Sequence, residues 1–410
     1  LAGGSDADLV RARYSLPYLA HATMEPMNCT ALLDGGRLTV WAPTQFQDAP
    51  SYMGGGARQA AAGAAGVSAD AVDVRTTFLG GGFGRRAELD FVEEAAELAS
   101  KVSGAVRVVW SREDDVRHDF YRPASYHELA ARLGPDGRPV AWAHDMALQS
   151  ILQRHLPGWM PSFLASLVGV MPDGIDPTSV EGAQNQPYAV PNVRVTWANV
   201  ELPVPVGFWR SVGNSHNAFV VESFVDELAA ASGRDPYEYR RELLERHPRH
   251  RAVLDAAAEA AAWGGPLPEG RARGIAVAES FGSFVAEVAE VSVREGRPRV
   301  HRVWCAVDCG VVVNPAIVRA QMESAIVYGL TAALHGRIGI EGGRVVQGNF
   351  GDYPALRIDE APEVTVILSP SGDPPGGVGE PGLPPIAPAV TNALYALTGR
   401  RVRELPITLG

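Results

Sequence analysis

The chain has 410 residues, enough for two domains or more at the usual ~100 to 200 residues each. Hydrophobic residues at 46% against 20% charged, with 44 Gly and 31 Pro, describe a globular protein of mixed helices and strands and exclude a disordered chain. Its 47 acidic residues outnumber 36 basic ones and no Lys/Arg stripe appears, so nucleic-acid binding lacks electrostatic support and a small ligand is the expected partner.

The N-terminal stretch carries no basic segment followed by an apolar one, and no secretion signal is read there. A strand over Val72 to Phe78 feeds a glycine-rich turn, GGGFG at Gly80 to Gly84. Asp90 to Val102 has helical spacing, with Phe91, Val92, Ala95, Leu98, Ala99 and Val102 on one face and Glu93, Glu94 and Glu97 mostly on the other. Val106 to Trp110 reads as the next strand. Tyr126 to Leu133 and Val140 to Leu148 follow as a pair joined by the hairpin connection Gly134-Pro135-Asp136-Gly137. The longest apolar run, Phe163 to Met171, is too short for a membrane span, which needs ~20 residues. Helices are expected over Asn217 to Ala231, Tyr237 to Glu245 after Asp235-Pro236, and Ala252 to Trp263. Gly264 to Gly274 is Gly/Pro-rich and marks a boundary between a domain of residues 1–263 and one of residues 264–410. Strands are expected between Ile275 and Val307, then helices over Ile317 to Leu334 and Pro388 to Thr398. The last helix follows a second glycine turn, VGEPG at Val378 to Gly382, which also reads as ending a strand.

The two turns are the chemically informative pair. Glycine at φ > 0 lets a ligand approach the main chain, consecutive N–H groups form an anion-binding concavity, and Glu380 beside such a turn is a candidate base. Neither turn has the spacing of a dinucleotide or phosphate loop. Each residue also has a plainer reading: Glu380 as an exposed turn residue, Gln45 as a loop amide, Phe83 as a core aromatic, Arg210 as an ion-pair partner of Glu222 or Asp226. His21 and Glu25 are four apart and could share a helical face as metal ligands, but Pro26 and the lack of a third ligand argue against it. His118 and His127 read as hydrogen-bonded structural histidines. Cys29, Cys305 and Cys309 form neither a disulfide framework nor an iron–sulfur or zinc pattern and read as buried thiols, so no protein metal ligand is assigned.

Taken together, HATMEPMNCT (His21 to Thr30), WAPTQ (Trp41 to Gln45), GGGFGRR (Gly80 to Arg86), VGFWRSVGNSHN (Val206 to Asn217) and VGEPGLPPIAPA (Val378 to Ala389) make a specific set. With VVWSREDDVRHDFYRPASYH, DCGVVVNPAIVRAQ and NFGDYPALR, the chain resembles the molybdopterin-binding large subunit of the xanthine oxidase family, in particular the isoquinoline 1-oxidoreductase β subunit and related aldehyde oxidoreductases. The resemblance implies an α+β fold and hydroxylation of an N-heterocycle, or oxidation of an aldehyde, with oxygen from water. By it Gln45 would approach the metal's oxo ligand, Phe83 and Gly84 would lie against the molybdenum and pterin with Gly81, Gly82 and Gly379 in the cofactor-binding turns, Arg210 would line the site, and Glu380 would be the base. The cofactor implied is molybdopterin in its cytosine dinucleotide form.

Two further cofactor-binding strings of the family, a Gly-Gln-Gly turn and a Thr-Gly-Gly-Ser type loop, are not in this sequence. A second polypeptide is therefore expected to supply the N-terminal half of such a subunit, and a separate 2Fe-2S subunit to take the electrons. The expected location is the cytoplasm, or beyond it if an export signal lies on that other half. The segment after Gln45, FQDAPSYMGGG, is longer than the family's loop, and no acidic residue follows GGGFG in the register of purine-oxidising members. The rival readings are a non-hydroxylating redox step on a specialised metabolite and a metal-free scaffold or binding subunit.

Overall fold

A computed structural model describes residues 8–49, 55–156 and 171–409. These form three four-stranded sheets with helices laid against them, an α+β arrangement. Strand β1 (Leu9–Leu16) leaves the first sheet to β2 (Asn28–Asp34), β3 (Arg37–Ala42), β4 (Val72–Thr76) and β5 (Val106–Val109), in the order β4-β3-β2-β5. The helices Ala57–Ala65 and Asp90–Ala99 cover this sheet. Phe91, Val92, Ala95 and Ala99 are buried, as the helical spacing requires, whereas Leu98 and Val102 of the predicted face are exposed.

In the second sheet β1 pairs with β6 (Ser125–Leu133), followed by β7 (Pro139–Leu148) and β8 (Asn192–Asn199). The β6–β7 hairpin turns at Gly134 to Gly137 as expected, closed by Gly134 N–H donating to Arg138 O at 2.8 Å. The third sheet runs β9 (Arg271–Ser280), β10 (Ser283–Arg294) and β11 (Arg297–Asp308), with β14 (Glu363–Leu368) parallel to β11 at its edge; β12 (Ile340–Glu341) and β13 (Arg344–Val345) form a small separate ladder. The helix Asn214–Ala231 is buried along nearly its whole length between the second and third sheets. The largest core cluster runs from Ala12 to Ile407 and includes residues on both sides of position 264.

The helix Pro315–Leu334 and the closing helix Ile386–Thr398 complete the third layer. They cross closely at Gly329, where a Cβ would lie 2.5 Å from Ile386 Cγ2. Element ends deviate from expectation for local reasons. β4 stops at Thr76 because its parallel partner β3 ends at Ala42, where Pro43 has no N–H to continue the ladder. The Pro315 helix starts two residues early because the Asn314 side chain accepts from Ala316 and Ile317 N–H. VGEPG does not end a strand: β14 stops at Leu368, and the chain runs through an irregular, proline-rich loop before reaching Gly379.

Among the described residues no helix is long and apolar enough to cross a membrane. The apolar run from Phe163 lies, except for Met171, outside the described residues. All three cysteines are buried thiols.

Candidate active site

Parallel pairing of β3 and β4 sends both strands out of the same end of the first sheet, so WAPTQ and GGGFG emerge side by side. Gln45 N–H donates to Arg86 O at 2.9 Å, and Gln45 Oε1 accepts from Gly84 N–H (3.1 Å) and Arg86 N–H (3.3 Å). The glycines in this turn are required: a Cβ on Gly84 (φ +107°) would sit 1.6 Å from Phe208 O. Phe83 itself holds φ 55°. Arg86, fully buried, pins the turn from beneath by donating to Gly81 O (2.7 Å), to Glu25 O and to Glu25 Oε2 (both 2.8 Å). His21 bridges Asp119 and the carbonyl of Phe208, with Nδ1 to Oδ1 at 2.8 Å and Nε2 to O at 2.8 Å. Burial works against the Asp119 charge, but His21 and Arg85 outweigh it and hold the carboxyl below its ordinary range.

The opposite wall comes from VGFWRSVGNSHN and VGEPG. Arg210 is buried and donates to Gly379 O (2.8 Å), Ser324 Oγ (3.0 Å) and Gln321 O (3.3 Å), while its charge lies 5.7 Å from the Phe83 ring centre. It forms no pair with Glu222 or Asp226: Arg240 takes Glu222, and Arg401 and Arg240 take Asp226. Next come two non-glycine residues in the left-handed region, Ser211 (φ 73°) and Val212 (φ 47°), a conformation costing on the order of 1 kcal/mol or more each. It aims alternate amides at two carboxylates. Ser211 N–H donates to Glu380 Oε1 at 3.1 Å, and Gly213 N–H donates to Glu181 Oε1 at 2.8 Å. Ser211 Oγ also donates to Glu380 O at 2.8 Å, fixing the VGEPG backbone. That turn is anchored further by Gly376 N–H on Cys309 O (2.9 Å) and Ser283 Oγ on Gly377 O (2.6 Å).

These walls enclose a cleft of about 720 Å³ that takes in Gln45, Gly81 to Gly84, Arg210, Gly379, Glu380 and Glu181. Burial raises the Glu380 carboxyl above its usual range, although the Ser211 amide and the Arg210 charge oppose the rise. Glu181 is raised to about 7, by burial first and then, against the Gly213 amide, by the charge of Glu380. Phe83 stacks on Tyr328 at 4.3 Å, and Tyr328 on Trp209 at 4.9 Å, so an aromatic column backs the glycine turn. On the far side of Phe83 lies a second, more apolar hollow of about 440 Å³. Above Gly379 nothing stands within 4 Å of where a Cβ would be, so the cleft has room for a group lying along this main chain. Bare glycine backbone, an aromatic face and a carboxylate with a raised pKa in one cleft fit a bulky anionic cofactor beside a proton acceptor.

Gln45, Gly81 to Gly84, Arg210, Gly379 and Glu380 therefore line one cleft, and Glu380 is half-buried, not an exposed turn residue. His21 and Glu25 are not paired as ligands; each supports the turn separately, and among the described residues no group of three or more His, Cys, Asp or Glu is placed to hold a metal. His127 is hydrogen-bonded as expected, to His144 and Ser125, but His118 is exposed with its ring edge-on to Trp110. Glu181, Arg86 and Tyr328 were not singled out. Glu181 lies in no glycine motif and reaches the cleft only through the packing of its short helix, Pro177–Val180, against Gly213, where a Cβ would meet Thr178 O at 2.3 Å. The segment after Gln45 leaves and returns at one point, since Ala57 N–H donates to Phe46 O at 3.0 Å; residues 50–54 of it lie outside the described residues.

Family models described as molybdopterin cofactor-binding domain match residues 2–244 and 244–362. The chain is 34% identical over 393 residues to the beta subunit of isoquinoline 1-oxidoreductase from Brevundimonas diminuta, covering 94% of this chain and 48% of that protein. It is 31% identical to a nicotinate dehydrogenase subunit of Pseudomonas putida, covering 96% of this chain and 34% of that one. Among solved structures, quinoline 2-oxidoreductase from Pseudomonas putida 86 superposes over 99% of this chain and 75% of its own, with a TM-score of 0.81 at 15% identity, a likeness of fold. The chain thus spans half or less of the length of these two curated relatives.

Proposed function

The chain belongs to the molybdopterin cofactor-binding domain family, and from that premise we propose that it forms part of the large subunit of a molybdenum-dependent oxidoreductase that hydroxylates an aromatic N-heterocycle or oxidises an aldehyde. The observation that carries this reading is the placement of Glu380, its pKa raised by burial, in one cleft with Gln45, the Gly81 to Gly84 turn and Arg210.

In the overall reaction a substrate C–H and one water give C–OH, two protons and two electrons. The bound cofactor supplies the two-electron chemistry. Main chain at Gly81, Gly82, Phe83, Gly84 and Gly379, with the Phe83 ring, would hold it, and Gln45 would face it through its side-chain amide. Glu380 accepts a proton at its carboxylate: Ser211 N–H fixes one oxygen, and the raised pKa brings the base closer to the range where proton transfer at neutral pH is efficient. Arg210 acts on the backbone of the base, holding Gly379 O at 2.8 Å, and its charge opposes the upward push of burial on the Glu380 carboxyl. We further propose the cytosine dinucleotide form of the cofactor, a companion chain completing the cofactor site, a 2Fe-2S subunit as electron acceptor, a cytoplasmic or exported location, and a domain division at residues 263/264.

Metal and pterin analysis of the complex purified through this chain, with Glu380→Gln alongside, tests the reading. Molybdenum and pterin are expected in both proteins, with turnover abolished only in the variant. A complex free of molybdenum under molybdenum-replete growth would refute it, and retained turnover in Glu380→Gln would remove Glu380 from the chemistry.

A further inference from the structure

The cleft presents two carboxylates, and only one is needed as a base. Glu380 sits on the Arg210 side, its backbone gripped by that guanidinium. Glu181 is held separately, its Oε1 accepting at 2.8 Å from the next-but-one amide of the same strained segment, Gly213 N–H. The same cleft is lined by the aromatic and aliphatic side chains of Phe46, Leu79, Phe208 and Phe281, apolar walls that suit a flat ring. Arg210 is the cationic side chain among the described lining residues, and its hydrogen bonds go to Gly379, Ser324 and Gln321. Among the described lining residues a ring carboxylate would meet two acidic groups and one cation, Arg210, already engaged with Gly379 O and Ser324 Oγ.

Resting on the hydroxylase reading above, we propose that Glu181 is a specificity-determining residue: its carboxyl binds the ring nitrogen of an aromatic N-heterocycle, donating a proton to a bare nitrogen or accepting from a protonated one, and disfavours rings that bear a carboxylate. The two carboxylates then divide the work, Glu181 orienting the ring and Glu380 taking the proton at the carbon. The near-neutral titration of Glu181 supports this pairing, because an acid of that strength shares a proton readily with a weakly basic ring nitrogen.

The test uses the purified complex containing this chain and three probes: isoquinoline, benzaldehyde and pyridine-3-carboxylate. Binding is measured by calorimetry and KM where turnover occurs. In Glu181→Met, isoquinoline is expected to bind about tenfold more weakly, the loss of one hydrogen bond to an ionisable partner, with pyridine-3-carboxylate tighter and benzaldehyde unchanged. Glu181→Gln, which keeps a donor and loses the charge, should retain much of the isoquinoline affinity while still admitting the carboxylated ring more readily. Benzaldehyde separates specificity from damage, because a misfolded cleft weakens all three probes. Equal changes for all three, no change for isoquinoline, or a wild-type complex that binds none of them would overturn the proposal. A complex that binds the rings selectively but holds no molybdenum would overturn the hydroxylase reading and leave the role of Glu181 standing.

Discussion

His216 offers a quantitative check on the packing behind the site. It lies six residues beyond Arg210 in the buried helix Asn214–Ala231, its ring 6.0 Å from that of His127, which in turn bonds His144 at 3.0 Å. Burial, then the nearby Arg122 charge, pushes its pKa from 6.5 down to about 3; burial alone takes His144 to about 4 against the small opposing pull of Asp145. The folded protein therefore keeps His216 neutral while the unfolded chain protonates it below about 6.5. Stability is full above that value and is lost as pH falls toward 3. At ~1.4 kcal/mol per unit, the loss from His216 is about 2 kcal/mol between pH 7 and pH 5. Glu181 and Asp115, whose folded pKa values are raised to about 7 and about 6, gain protons on folding over the same range and oppose the trend, so the absolute curve mixes signs. A difference isolates one ring. Glutamine at 216 keeps a donor for Ser179 O and does not titrate. Urea denaturation of wild type and His216→Gln at pH 7, 6 and 5 should show the gap between the two proteins moving by about 2 kcal/mol in favour of the variant as pH falls. Two parallel curves would refute the reasoning and mean that His216 is protonated or solvated in the folded state.

Three other substitutions probe the cleft itself. Gly84→Ala forces a Cβ onto Phe208 O in a left-handed conformation; it should destabilise the protein by about 2 to 4 kcal/mol and lower molybdenum content, read by thermal unfolding and metal analysis. Arg210→Lys replaces a planar fork, whose Nε and Nη1 reach Gly379 O and Ser324 Oγ from separate positions, with one ammonium nitrogen; turnover should fall by roughly tenfold or more with cofactor content retained, measured by steady-state kinetics. Tyr328→Phe removes the hydroxyl donating to His21 O at 2.8 Å while keeping the stack on Phe83, and should cost about 1 kcal/mol by denaturant melts with little change in kcat.

The sequence was most legible where one local signal decided the outcome. The helical spacing of Phe91, Val92, Ala95 and Ala99, the Gly134 to Gly137 hairpin and the proline-started helix at Pro236 all appear where their chemistry puts them. Glycine turns and their flanking strings were legible too, because close backbone approach leaves few alternatives to glycine. What was hidden depended on pairings between distant segments. Nothing near Glu181 announces that it will meet Gly213, thirty-two positions away, and nothing in Arg86 says that its guanidinium will reach back to Glu25. VGEPG was misread as a strand end because glycine turns and proline-rich loops look alike when the partner holding them, here Ser211 and Arg210, lies elsewhere in the chain.

The return of the chain to its own starting point after Gln45 has an evolutionary corollary. Gln45 is fastened to Arg86 before the excursion begins, and Ala57 N–H closes it on Phe46 O, so residues between them can be added or removed without altering the spacing of the groups on the sheet. A lineage can therefore lengthen or shorten this one segment while the fastening of Gln45 beside the Gly81 to Gly84 turn stays as it is.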